Sequence, residues 1–222
     1  FDALARLGGG RPWLAKLTLR DAEGRRFLER RGFRVAVRTL TGLLDPARPE
    51  TRAWLAGLTP APPDLRLERL EQPGTAQLAA LAEAHAAVYR WTHAWNPPAD
   101  QGPETLLARF CGPQVLPGSQ IGAWRGERLV GAANLIADPL DPQPGAAYLV
   151  WIGPVDPLTP DAPAITAALL RAAREYAAAQ GLALRFEADD SHNHLHALLD
   201  TAPSEEVDRD VVVMMQDGEQ RL

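Results

Sequence analysis

Several short stretches alternate apolar and polar positions. Residues 11–20, RPWLAKLTLR, set Trp13, Ala15, Leu17 and Leu19 against Leu14, Lys16, Thr18 and Arg20. That is the period of a half-buried strand, with Leu14 as its apolar exception. FRVAVRTL (33–40) and DLRLERL (64–70) alternate in the same way. Between the first two, Asp21 is placed to cap a short helix over AEGRRFLERRGF, with Phe27 and Leu28 toward a core and Gly32 at its end. The opening FDALARLGGG reads as a helix end stopped by glycines.

Beyond residue 70 the period changes. In GTAQLAALAEAHAAVYRWTHAW (74–95), Leu78, Leu81, His85, Val88 and Tyr89 fall at helical spacing. NPPADQGP breaks that helix, and PETLLARF starts a second with Pro103 in its first turn. SQIGAWRG and ERLVGAANLIAD predict a hairpin closed at Gly126-Glu127, and AAYLVWIGPV a strand apolar enough to be buried on both faces. A long helix over 163–180, a strand LALRFEA, a short helix HNHLHALLDT and a last strand DVVVMMQ follow. The predicted order from residue 64 is therefore β-α-α-β-β-β-α-β-α-β. Pro46, Pro49, Pro60, Pro62 and Pro63 mark residues 46–63 as a stiff linker, with one short helix around Trp54 and Leu55.

Composition narrows the function classes. The 222 residues are 46% hydrophobic, enough for one large domain or two small ones. Net charge is −5, Lys16 is the only lysine, and no basic run forms a nucleic-acid footprint. No apolar run reaches the ~20 residues of a membrane span. The single Cys111 excludes an internal disulfide and fits a reducing, cytoplasmic setting, where it serves as a small hydrophobe. The chain opens on Phe1, as a fragment or processed form would.

The order of elements, with a strand leading through a loop into AALLRAAREYAAAQG, resembles the GNAT superfamily of N-acetyltransferases. Val155-Asp156-Pro157 is similar to the Val-x-Pro that ends the family's fourth strand, and LALRFEADDSHNHLHALL to its fifth strand and following helix. LTLRDAEGRRFLERRGFRVAVRTL resembles the family's C-terminal half, with Asp21 and Leu28 where Asn and Tyr are usual. The resemblance implies an α+β fold with a mixed, mostly antiparallel sheet flanked by helices. It implies a tandem arrangement: residues 1–45 as the C-terminal half of a first GNAT-like domain, 46–63 as the linker, and 64–222 as a complete second domain. Residues 1–45 alone would leave a sheet edge and apolar side chains open, so they are expected to dock on the second domain or on another chain, as in a homodimer.

The activity implied is acyl transfer from acetyl-CoA to an amine of a small molecule or peptide. The alternative is a degenerate GNAT module that binds a ligand or a sister domain without chemistry. The family's CoA loop, Arg/Gln-x-x-Gly-x-Gly/Ala, presents backbone N–H groups at a helix N-terminus. The positions matching the site are Ile152, Gly153 and Val155 on the strand and Ala162, Ala164, Ile165 and Thr166 at the helix start. Asp161 stands where the Arg belongs, alanines replace glycines, and Pro163 lacks an N–H. Either Asp161 is a helix-start residue in a turn fixed by proline, or a weakened CoA site persists.

By the same resemblance VYRWTHAW lines the acceptor pocket, so Tyr89, Trp91, His93 and Trp95 are candidate substrate contacts, with His93 a candidate base. The other reading packs the two tryptophans on the sheet. No Tyr occupies Leu199-Asp200-Thr201, where the family often has its general acid, so no catalytic residue is assigned. DDSHNHLH turns from strand into helix, which splays its histidines; a helix cap at Asp189, Asp190 or Asn193 is expected rather than a metal site.

Overall fold

A computed structural model describes residues 13–18, 20–96, 102–137, 145–191, 194–204 and 211–216. Segments 1–12 and 97–101, with Asn193 and His192, lie outside them, so the predicted N-terminal helix end and the Asn193 cap do too. The elements are β1 (Trp13–Thr18), α1 (Ala22–Glu29), β2 (Arg34–Leu44), α2 (Pro49–Gly57), β3 (Arg66–Leu70), α3 (Thr75–Thr92), α4 (Pro103–Cys111), β4 (Gln120–Arg125), β5 (Arg128–Ala137), β6 (Ala146–Pro154), α5 (Ala162–Ala179), β7 (Ala183–Asp189), α6 (His194–Leu199) and β8 (Val211–Gln216). Asp21 caps α1 as expected, its carboxylate accepting the Gly24 N–H at 2.8 Å. The β4–β5 hairpin turns at Gly126, whose φ of 56° suits glycine.

One eight-stranded sheet runs β1-β8-β2-β7-β6-β5-β4-β3. Every pairing is antiparallel except β6 with β7. Parallel neighbours need a crossover, and α5 supplies it. β2 lies between β7 and β8, with Thr39 opposite Asp189 on one side and Val35 opposite Met214 on the other. Two strands from the first 45 residues are thus built into the sheet of the last 160.

The two faces are read from β5. Ala133 and Leu135 join Ile165, Leu169, Leu170 and Phe186 in the main core under α5. Ala132 faces the other way, toward Leu81 and Ala84 of α3. Alanine on α5 and Gly131 on β5 permit close approach, since a Cβ on Gly131 would stand 2.8 Å from Ile165. A third, smaller cluster joins Leu28, Phe33 and Met214 to Trp13 and Leu17.

Residues 46–63 are tied to α5 by arginine. The Arg171 guanidinium of α5 donates to the carbonyls of Leu55, Leu58 and Thr59, and Arg174 to that of Pro46. The last carbonyls of α2 have no partner within the helix, and a forked cation satisfies several at once.

Candidate functional site

β6 and β7 pair only from Ala146/Ala183 to Leu149/Phe186. Past that point β6 continues to Pro154 while β7 stays with β2, and the two strands part. β6 is irregular where they part. Its register against β5 shifts between Val150 and Gly153, and Trp151 holds a φ of 51°, which a non-glycine residue rarely adopts. Beneath the irregularity His85 of α3 is fully buried, and its Nδ1–H donates to the Trp151 carbonyl at 3.1 Å. Burial lowers its pKa to about 4, so it is neutral near pH 7. Its Nε2 and the Asn134 Oδ1 are buried without a hydrogen-bond partner.

On one side of the parting lies a cavity of about 470 Å³. The last turn of α3 and the residues after it bring Tyr89, His93 and Trp95 to its wall. Tyr89 and His93 are one turn apart and stack at 4.0 Å; His93 and Trp95 lie 6.0 Å apart. Burial lowers the His93 pKa, against the opposing pull of Asp189. The other wall comes from the far end of the chain and from its start. Asp189 accepts from Thr39 Oγ1 at 2.7 Å and from Trp95 Nε1 at 3.1 Å. Asp189 is only 9% exposed, and among the described residues no Lys or Arg pairs with it. Glu187 accepts from the Tyr148 hydroxyl at 2.5 Å and pairs with Lys16. Leu14 and Lys16 of β1 and Thr39 of β2 also line the cavity, so the first 45 residues complete it.

Trp91 lies on a different side of α3. Its indole N–H donates to the Pro154 carbonyl at 3.1 Å, and its ring lies 2.9 Å from where a Cβ on Gly153 would be. Of the four aromatic candidates, three share the cavity and Trp91 covers the end of β6. Neither Asp189 nor Asp190 caps α6: Asp190 Oδ1 accepts the Arg38 N–H at 3.0 Å. His194 contacts the Pro157 carbonyl at 3.0 Å, and no metal-binding group of His, Cys, Asp and Glu occurs among the described residues. Burial pushes the Cys111 thiol up to about 11, which leaves it a poor nucleophile.

The loop before α5 is closed by its own contacts. Asp161 pairs with Arg125 and accepts from Thr159 Oγ1 at 2.7 Å, and Arg125 also reaches Asp64 at 3.0 Å. The Ala162 N–H bonds to the Thr159 carbonyl and the Ile165 N–H to that of Asp161. Pro163 has no N–H, so of these first-turn donors only that of Ala164 is left. Thr166 turns its hydroxyl back to the Ala162 carbonyl at 2.9 Å and is fully buried. Ile152, Ala162 and Ile165 are buried in the core, and the Val155 N–H bonds to the Val130 carbonyl. A diphosphate needs several converging donors and a positive field. In the first turn of α5 only the Ala164 N–H is left, a carboxylate stands beside it, and the nearby guanidinium is already paired. These residues do not fit the CoA pyrophosphate.

No protein-family model and no curated protein matches the sequence. Solved structures do. A GCN5-related N-acetyltransferase from Sphaerobacter thermophilus superposes with a TM-score of 0.65 at 13% identity, over 95% of this chain and 61% of that one. The chain has the GNAT fold. An acetyltransferase of the GNAT family from Colwellia psychrerythraea aligns with a TM-score of 0.53 at 15% identity, over 92% of this chain and 64% of its own length. The chain thus spans less than two thirds of either neighbour. The parting of β6 and β7 and the irregular β6 belong to this GNAT-fold unit.

The family resemblance pointed to the aromatic residues of the wall and not to its acidic half. Glu187 and Asp189 alternate with the core residues Phe186 and Ala188, which sets the two carboxylates on the other face of β7, and the local pattern gives that face no partner. No local signal pointed to Lys16 or Thr39, which enter the wall only through the placement of β1 and β2.

Proposed function

We propose that the protein acts in N-acyl transfer from an acyl-CoA to an amine, and that this chain holds the amine-bearing acceptor, a small molecule or a peptide. The observation that supports this reading is Asp189. It is a nearly buried carboxylate in an aromatic-walled cavity, oriented by two donors and lacking a Lys or Arg partner among the described residues. Such a group is stabilised by a cation entering from outside, and aromatic faces add to the attraction. In this reading residues 1–45 are the end of a first GNAT-like domain and 64–222 a second, and acetyl-CoA is held elsewhere than at 152–166. The second unit then works as a ligand-binding module.

Chemically, Tyr89, His93 and Trp95 exclude water from the acceptor, and Asp189 fixes its charged end. Neutral His93 beside Asp189 is placed to take a proton from an ammonium. A second reading, acyl transfer within this unit itself, is favoured by the parting of β6 and β7 and by the irregular β6 around Trp151. Titration calorimetry separates the two. n-Butylamine is expected to bind and to be weakened by Asp189→Asn, with no heat from CoA. Tight CoA binding to this chain selects the second reading, and absence of amine binding overturns the first.

A further inference from the structure

The acidic side of the cavity has two carboxylates. Glu187 and Asp189 sit two residues apart on one face of β7, which sets them about 7 Å apart along the strand. They differ in their partners. Asp189 meets neutral donors only, while Glu187 holds the ammonium of Lys16 and the hydroxyl of Tyr148. Lys16 is the chain's only lysine, and it comes from β1, not from a neighbour of β7 in the sheet. Its side chain lines the cavity and is 51% exposed, so it can withdraw into solvent. An ion pair this exposed is weak and readily exchanged. The protein thus places a primary ammonium of its own at one carboxylate and none at the other.

We propose that the cavity is shaped for an organic dication, a short aliphatic diamine, one ammonium meeting Asp189 and the other replacing Lys16 at Glu187. The proposal rests on the reading of the cavity as an amine site. It adds the spacing of two charges and a competitor built into the chain. A four-carbon diamine separates its nitrogens by about the strand spacing of the two carboxylates. Lys16 sets a threshold: a monoamine satisfied by Asp189 has no reason to displace it, whereas a diamine does.

The experiment is titration of the full chain with 1,4-diaminobutane and with n-butylamine, followed by calorimetry and by tryptophan fluorescence from Trp95. The variants are Lys16→Met and Glu187→Gln, both at partly exposed positions, with folding checked by circular dichroism. The diamine is expected to bind more tightly than the monoamine. Lys16→Met should widen that preference by roughly fivefold, the equivalent of one weak ion pair. Glu187→Gln should abolish it while butylamine binding persists. Equal affinity for the two probes in both the wild type and Lys16→Met overturns the dication and leaves the amine cavity standing. Failure of both probes to bind overturns the amine cavity and the dication together.

Discussion

The two sides of the place where β6 and β7 part have the same backbone frame and opposite fates. On the loop side the protein's own groups meet one another: Trp91 lies over Gly153, Arg125 neutralises Asp161, and Pro163 removes a donor. On the cavity side Asp189 is left facing open space, with aromatic rings around it. The frame is a property of strand pairing, which depends on pattern and register. Chemistry depends on whether polar groups are matched internally or left for a ligand. A fold can therefore be retained on one side of a cleft as packing and on the other as a binding surface.

This contrast predicts that substitutions on the loop side change stability and those on the cavity side change binding. Trp91→Ala should have the largest effect, about 3 kcal/mol in chemical denaturation, because it removes a large ring and the donor to Pro154. Amine binding should survive it. Trp95→Ala should weaken amine binding with a smaller loss of stability, and the reverse pattern would erase the distinction.

Acid should act next. His85 keeps its neutral form in the folded chain down to about pH 4 but protonates near 6.5 when unfolded. Its contribution is complete above pH 6.5 and is lost as pH falls toward 4, a drop of about 2 kcal/mol by pH 5. His93, also lowered, shifts stability in the same direction. Urea midpoints across this range test it, and a flat profile would contradict the buried neutral imidazole.

Thr39→Val should cost about 1.5 kcal/mol, since it takes a hydroxyl donor from the nearly buried Asp189. It should also move the pH dependence of amine binding, which a purely structural threonine would not. The smallest effect is expected at Asp161→Asn. Its pair with Arg125 is partly exposed, so the stability change should stay within about 1 kcal/mol. Removing that charge should still give no CoA binding by calorimetry, because Pro163 still lacks an N–H and those of Ala162 and Ile165 stay engaged.

The periodicity of residues 64–216 was sufficient to order the elements, since helices and strands are local and their apolar periods differ. Asp21, Gly126 and Pro103 also marked their caps and turns correctly, because capping is satisfied within a few residues. What local pattern could not carry is partnership across the chain. Nothing near Thr39 shows that it pairs with Asp189, 150 residues away. Trp91 and Trp95 look alike in sequence, and only the direction of α3 against β6 separates a covering side chain from a wall of the cavity. Asp189 and Asp190 read locally as helix caps because the donors that engage them, the Arg38 N–H, Thr39 Oγ1 and Trp95 Nε1, come from distant parts of the chain.

The position of β2 has a consequence for how the molecule is made. A strand near the start of the chain finishes between two strands near its end. β1 and β2 precede β7 and β8 in the chain and take their places beside them only after those strands have left the ribosome. Pairings this distant in sequence form slowly, and their open edges stay exposed to other chains meanwhile. β1 and β2 therefore join this sheet late, and the part of the cavity lined by Leu14, Lys16 and Thr39 is completed only with them.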